Sequence, residues 1–301
     1  MAKFLISGIT GYIGSKLAHY LVETGHEVHG IVRDESNLER VNHILSSLFL
    51  ITIDELVRVS NFSHNQYDAI IHTATCYEKG NKTIDEVIQT NLFFSIELLR
   101  YAADSKIGVF INMDSYFCKN NKNNFSYKSS YVISKSHFRD WGIRFSSSGS
   151  IKFWNIILEH PYGPLESQDK FTGWLFKNCL DNVKVLDLTL GHQKRDFIYI
   201  EDIINALATI LLKMNKISER FCDIGLGNGF SISLERFVHM VHSISDSKTI
   251  LRFGAIKTAE DEIQDSFADL TVLNKLGWKP EFSIESGISD SVGAYRNSIF
   301  S

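Results

Sequence analysis

Tyr131 and Lys135 stand four residues apart in the run Ser-Tyr-Val-Ile-Ser-Lys at 130–135. Side chains at this spacing share one face of a helix, so a phenol and an ammonium would project together. A cation within a few ångströms of a phenol favours the ionised form and lowers its pKa. That moves tyrosine toward the range in which it exchanges a proton near neutral pH. The pair is a candidate for proton transfer, although the spacing alone equally describes a surface tyrosine beside a solvated lysine. Ser115 closes an apolar run at 109–112 followed by Asp114. Turn chemistry accounts for a serine after a strand, and its interest comes from Tyr131.

A second stretch able to do chemistry is Gly8-Ile9-Thr10-Gly11-Tyr12-Ile13-Gly14. It follows an apolar run at 3–7 and precedes a helical pattern at 16–24 with Leu17, Ala18, Leu21 and Val22 inward, ended by Gly25. Strand, glycine turn and helix N-terminus together suit a pyrophosphate, because the backbone approaches closely and free N–H groups meet the anion. The spacing is Gly-x-x-Gly-x-x-Gly rather than the commoner Gly-x-Gly-x-x-Gly, and a turn built only for packing is the plainer reading. A second strand at 27–32 ends in Arg33, where an acidic residue would bind a ribose 2′-hydroxyl. An arginine there suits a 2′-phosphate, so NADP(H) is expected over NAD; a solvated surface charge with Asp34 beside it also explains Arg33. Asp54, after a third strand at 49–53, is placed either near an adenine or as a helix N-cap.

The elements that must position these residues alternate. A strand at 67–73 runs into Thr73-Ala74-Thr75, small residues over which a cofactor can lie. A helix is expected over 85–103 with Asn91 as its one odd polar position, a strand at 109–112, a mobile polar loop at 119–130, a helix at 131–145 and a strand at 151–158. The spacing predicts an α/β fold of the Rossmann type, a doubly wound parallel sheet with a smaller C-terminal substrate-binding lobe. The dinucleotide-binding part is drawn as 1–165 plus 191–225, and the lobe as 166–190 plus 226–301. Phe171, Trp174 and Phe176 cluster in that lobe, with a helix and a strand expected at 165–190. The glycines of 225–229 read as a plain loop.

The chain has 301 residues, 44% hydrophobic and 22% charged, which is ordinary for a soluble globular protein. Its formal charge of −4 argues against a general nucleic-acid or membrane-surface binder. Any anionic ligand must therefore be met by local positive charge. Cys76, Cys118, Cys179 and Cys222 lie far apart without a Cys-x-x-Cys pair, as expected of reduced thiols rather than a disulfide or zinc framework. No apolar stretch at the start is long enough for a signal peptide or membrane span, so the cytoplasm is the expected location.

These stretches together resemble the extended short-chain dehydrogenase/reductase superfamily, in its branch of nucleotide-sugar epimerases, dehydratases and reductases. The likeness runs through residues 7–14, His72-Thr73-Ala74, Asn91, Ser115, Tyr131 with Lys135, Tyr162-Gly163-Pro164, Arg195-Asp196-Phe197-Ile198, and Leu273 to Pro280. Within the branch the chain is similar to CDP-linked 4-ketosugar reductases in Asp114-Ser115-Tyr116-Phe117, residues 130–138, Leu158-Glu159-His160, Lys170-Phe171 and Phe253-Gly254-Ala255-Ile256. The resemblance implies that Tyr131 protonates a sugar carbonyl oxygen, Ser115 hydrogen-bonds it, Lys135 holds the nicotinamide ribose, and NADPH supplies hydride. It places Gly8, Thr10, Gly11, Tyr12, Ile13, Gly14, Arg33, Asp54, Thr73, Ala74 and Asn91 around the cofactor. His160, Lys170, Phe171, Arg195 and Arg252 are implied around a nucleotide-diphosphate sugar, with Arg195, Arg252 and Lys170 toward the diphosphate. A homodimer through the helices at 85–103 and 131–145 is also implied.

The departures narrow the activity. Relatives that eliminate water carry Asp-Glu after the catalytic hydroxyl, where this chain has Tyr116-Phe117. Epimerase-reductases of the fucose type carry a cysteine two residues after the serine; here Cys118 lies three after it. Ile157 and His160 replace the usual Arg and Asn ahead of Tyr-Gly-Pro, so the sugar pocket is altered, and His160 either touches the sugar or is a satisfied buried histidine. An epimerase that retains NAD and a non-catalytic NADP-binding sensor stand as the other readings.

Overall fold

The computed structural model describes residues 1–52, 55, 67–78, 80, 82–119 and 129–299. Asp54 and residues 120–128 of the polar run lie outside them. In chain order the elements of the first unit are β1 (Lys3–Ser7), α1 (Tyr12–Glu23), β2 (Glu27–Val32), β3 (Leu48–Thr52) and β4 (Ala69–His72). There follow α2 (Ile84–Ile88), a π turn (Gln89–Phe94), α3 (Ser95–Asp104), β5 (Val109–Ser115), α4 (Ser129–Ser147) and β6 (Lys152–Leu158). Onward come β7 (His160–Tyr162), α5 (Phe171–Leu180), β8 (Val185–Leu188), β9 (Lys194–Arg195), β10 (Phe197–Tyr199) and α6 (Ile200–Leu212). The chain ends with β11 (Phe221–Leu226), β12 (Ile232–Ser233), α7 (Leu234–Ile244), β13 (Ile250–Phe253), α8 (Thr271–Lys275) and α9 (Ile284–Ile299).

Seven strands form one sheet in the order β11-β6-β5-β4-β1-β2-β3. β1 pairs in parallel with both β2 and β4, and β4 with β5. The strand order reverses between β1 and β4, and in such sheets ligands bind outside the strand C-termini at that reversal. The register aligns Ser7 with His72 and His72 with Asn112, so the turn after β1, the loop after β4 and the end of β5 reach the same edge. The doubly wound expectation is met.

The strands are apolar on both faces because helices cover both, and burial follows: Leu5, Ile6, Ile70, Ile71, Phe110 and Ile111 are fully buried. Phe110, Phe138 and Phe153 lie ring against ring, which seats α4 on β5 and β6. Gly142 explains how closely. A Cβ there would come within 2.3 Å of the Phe153 ring, so only glycine lets the helix lie flush on the sheet.

The helix expected over 85–103 is instead α2, a π turn and α3. Thr83 and Glu86 form a reciprocal capping box at its start. The π turn holds Asn91, which accounts for the polar residue in an apolar pattern. The third strand is Leu48–Thr52, one residue earlier than the sequence suggested.

By compactness the chain divides into Met1–Ile157 with Leu207–Ile224, and Leu158–Ala206 with Gly225–Ser301. Residues 158–165 and 191–206 therefore fall in the second unit rather than with the dinucleotide part. The reason is that β7 pairs with β10, and Tyr162 packs beside Tyr199. In that unit β9 pairs with β12 and β8 with β13, while Phe197 stacks on Phe237 of α7 at 3.8 Å. The glycines of 227–229 form a loop fastened by Asp196, which accepts from the backbone N–H groups of Asn228, Gly229 and Ala268.

Candidate active site

Ser115 ends β5, and Tyr131 and Lys135 occupy successive turns of α4. The structure brings the three together. Tyr131 is buried and its phenol shares a hydrogen bond with the Ser115 side chain. Lys135 is 1% exposed and its ammonium donates to the Met113 carbonyl at 2.7 Å, so the same strand that carries Ser115 orients the lysine. Ser115 Oγ also accepts from the Phe117 N–H at 3.4 Å, which fixes the turn after the strand.

The electrostatics differ from the sequence expectation in one respect. Burial pushes the Tyr131 phenol well above its ordinary range, with Tyr77, Cys118 and Asp114 adding to the effect and the Ser115 hydrogen bond opposing it. Burial lowers Lys135, against which Asp114 acts first. Desolvation is the largest cause, so the shift runs upward and not downward as the spacing to Lys135 alone suggests.

Two neighbours were not anticipated. Tyr77, in the loop after β4, stacks on Tyr131 with ring centroids 4.6 Å apart and planes 20° from parallel. Its sequence signal was only that it follows Thr73-Ala74-Thr75. The Cys118 thiol is deep beside Asp114, with its pKa raised by burial. Asn91 fastens the same loop: its Oδ1 accepts from the Cys76 N–H and its Nδ2 donates to the Cys76 carbonyl, both at 2.8 Å, and to Ser134 Oγ at 3.2 Å. Asn91, implied near the cofactor, thus holds the loop and α4 together.

The glycine turn divides its labour. A Cβ on Gly8, whose φ is +72°, would sit 2.6 Å from the Ala74 nitrogen, and one on Gly14 would sit 2.3 Å from the Gly8 carbonyl oxygen. These two glycines are needed so that the turn can pack against the loop after β4. Gly11 caps α1 with no side-chain hydrogen bond, and a Cβ there would meet only the Gly8 oxygen at 3.0 Å. An uncapped N-terminus with an open glycine at its mouth fits a pyrophosphate. Thr10, Tyr12 and Ile13 lie in this turn and the start of α1, and Thr73 bonds back to the Ser7 carbonyl at 2.8 Å. Arg33 follows β2 directly and is exposed, with its backbone tied to Ser36.

The residues implied for the sugar nucleotide belong to the second unit. His160 packs edge-on against Phe197 and Phe171, at 5.0 and 6.5 Å between centroids. Lys170 is the N-cap residue of α5 and Phe171 its first residue. Arg195, expected toward the diphosphate, is held by its own unit. It is 3% exposed, donates to the carbonyls of Lys194 and Ile263 at 2.7 and 2.6 Å, and pairs with Glu262. A guanidinium so engaged braces the fold here. Arg252 forks onto Asp187, its cross-strand neighbour, at 2.6 and 2.8 Å. That pair is exposed, and such pairs contribute only about 0.2–1 kcal/mol, so Arg252 can be released to an anion.

The family model for the NAD dependent epimerase/dehydratase family matches residues 4–225. The chain belongs to that family. It is 31% identical over 287 residues to a CDP-abequose synthase of Salmonella muenchen, covering 95% of each chain. It is 30% identical over 291 residues to the CDP-abequose synthase of Salmonella typhimurium, covering 95% of this chain and 96% of that one. Among solved structures it is similar to a UDP-N-acetylglucosamine 4-epimerase of Methanobrevibacter ruminantium, with a TM-score of 0.82 at 18% identity and 99% of each chain covered. An epimerase of Methanothermobacter thermautotrophicus superposes with a TM-score of 0.85 at 16% identity, over 99% of this chain and 93% of that one. These two likenesses concern the fold. No described helix is long and apolar enough to cross a membrane.

Proposed function

We propose that this protein is an NADPH-dependent reductase of a nucleotide-linked 4-keto-6-deoxy- or 4-keto-3,6-dideoxyhexose, with CDP as the nucleotide, acting in the cytoplasm in the synthesis of a surface-polysaccharide sugar. The observation that carries the reading is the convergence of Ser115, Tyr131 and Lys135 at the end of β5. The relatives of about the same length that are named CDP-abequose synthase support the choice of substrate.

Bound NADPH would supply hydride to the sugar C4, held by the Gly8–Gly14 turn, Thr73, Ala74 and Lys135, with Arg33 toward the 2′-phosphate. The chain's own part is the oxygen. Tyr131 Oη donates its proton to the C4 carbonyl oxygen as negative charge grows there, and Ser115 Oγ donates a second hydrogen bond to the same atom. Two donors fixed in a buried site act without waiting for solvent to reorganise. The Lys135 ammonium stabilises the tyrosinate that remains until it is reprotonated. Tyr116 and Phe117 offer neither a carboxylate acid nor a base, so no elimination of water accompanies the reduction.

Tyr131→Phe tests this. Turnover of CDP-4-keto-3,6-dideoxyhexose should fall at least about a thousandfold, while NADPH still quenches protein fluorescence with near-normal affinity. Near-normal turnover would remove the assignment. Purified protein carrying tightly held NAD, with no NADPH oxidised on any ketosugar, would establish the epimerase reading instead.

A further inference from the structure

Beneath the site, hydrogen-bonded polar groups cross the sheet from β5 through β6 to β11. Asn155 of β6 is fully buried, and its Nδ2 donates to Asp114 Oδ2 at 3.0 Å and to Asp223 Oδ1 at 2.9 Å. Asn112 of β5 donates to Asn155 Oδ1 at 2.7 Å and fixes that amide's orientation. Asp223 of β11 accepts from Arg139 of α4, through Nε at 3.1 Å and through Nη2. Asp114 Oδ1 accepts from the Ser115 N–H at 2.8 Å. One amide group thus bridges two carboxylates, an arrangement that needs a cation for each. Arg139 answers Asp223, and Lys135 is the cation beside Asp114.

Both cations come from α4. Tyr131, Lys135 and Arg139 are spaced by four, so one helix face carries the phenol, the ammonium and the guanidinium in sequence. Apolar residues would seat the helix on the sheet as well as an ionic chain does. What the chain adds is a fixed negative charge at the end of the strand that carries Ser115.

We propose that Asp114 is a positioning residue for the reaction: held by the Asn155, Asp223 and Arg139 chain, its carboxylate fixes the Ser115 backbone and sets a negative charge beside Lys135 and Tyr131. This rests on the catalytic reading of Tyr131. The charged and titratable groups around Asp114 are Lys135, Tyr131 and Arg139 from α4, Asp223 from β11, Cys118 from the turn after β5 and Tyr77 from the loop after β4. His72 of β4 also feels the Lys135 charge. Asp114 acts against the loss of the lysine proton and against the loss of the tyrosine proton. Its removal therefore moves both titrations to lower pH.

The test compares wild type, Asp114→Asn and Asp223→Asn, with Tyr131→Phe as control. The amide in Asp114→Asn keeps an acceptor for Ser115 and deletes the charge. It should melt within a few degrees of wild type and bind NADPH within about threefold, while the alkaline limb of kcat/KM moves down by about one pH unit. Asp223→Asn, which frees the Arg139 charge, should move the same limb in the same direction by less, and it decides the matter if Asp114→Asn does not fold. An unmoved limb in a folded variant would make Asp114 merely structural and overturn the proposal. Phenolate absorbance of Tyr131, taken as the difference from Tyr131→Phe in cofactor-free protein, reads the same shift without turnover. If Tyr131→Phe stayed active, the catalytic reading would fall, and this titration would still decide the electrostatic claim.

Discussion

Tyr77 lies nearly flat on Tyr131, their ring centroids 4.6 Å apart. The stacked ring covers one face of the proton donor and contributes to the burial that keeps it protonated. Tyr77→Ala should admit water, lower the Tyr131 pKa and reduce kcat/KM by about tenfold, because a hydrated phenol is no longer fixed on the carbonyl oxygen. Tyr77→Phe keeps the ring and should stay within about threefold. Spectrophotometric titration of both variants checks the order; equal behaviour of Ala and Phe would show that the ring does nothing for the phenol.

Arg33 stands exposed at the end of β2 with its backbone pinned by Ser36. A guanidinium paired with a 2′-phosphate gains charge-assisted hydrogen bonds of roughly 1.5–3 kcal/mol. Arg33→Ala should therefore weaken NADPH by about 10- to 100-fold and leave NADH nearly unchanged. Isothermal titration with the two cofactors measures the ratio, and equal losses would dispose of the 2′-phosphate assignment.

The sheet was legible because its signals are local: an apolar run, a glycine turn and a helical repeat follow one another within 25 residues. Tyr131 and Lys135 were legible for the same reason, since helix geometry alone places them together. What escaped was set by distant partners. Nothing in the sequence near Arg195 pointed to Glu262, 67 residues away, as its partner. The upward shift of Tyr131 could not be read from its spacing to Lys135, because its burial and its stacking on Tyr77 come from the tertiary fold. The π turn at Asn91 escaped because one wider turn barely disturbs a helical repeat, and the pairing of β7 with β10 because it spans more than thirty residues.

His72 is fully buried between Ser7 and Ser95, at 2.6 and 2.8 Å, and burial holds its pKa well below the ordinary 6.5. The sign follows from linkage. The unfolded chain takes up this proton near pH 6.5 and the folded one only at lower pH, so the contribution is complete above 6.5 and is lost as pH falls from there toward the folded value. Each pH unit in that window removes up to about 1.4 kcal/mol. Urea unfolding from pH 8 to 5 should show the decline, and His72→Gln, less stable at pH 8, should show a shallower one. A parallel slope in the variant would assign the loss to other groups.

Assembly is testable on α3 and α4 and the π turn between α2 and α3. Phe93 and Trp141 are large apolar residues left 54% and 45% exposed in elements that pack side by side. Most of the remaining surface of these helices is polar or charged, as at Glu97, Arg100, His137, Asp140 and Arg144, so the two rings interrupt it. A second copy turned about a twofold axis would lay the same face against itself and bury both pairs, since an isologous contact uses one patch twice. Phe93→Glu in each copy then places like charges in a closed apolar contact. We expect wild type to elute as a dimer and Phe93→Glu with Trp141→Glu as a folded monomer, by light scattering and circular dichroism. Turnover per chain should persist in the monomer, because Ser115, Tyr131 and Lys135 come from one chain and their network closes within it. An unchanged mass for the double variant would move the interface elsewhere.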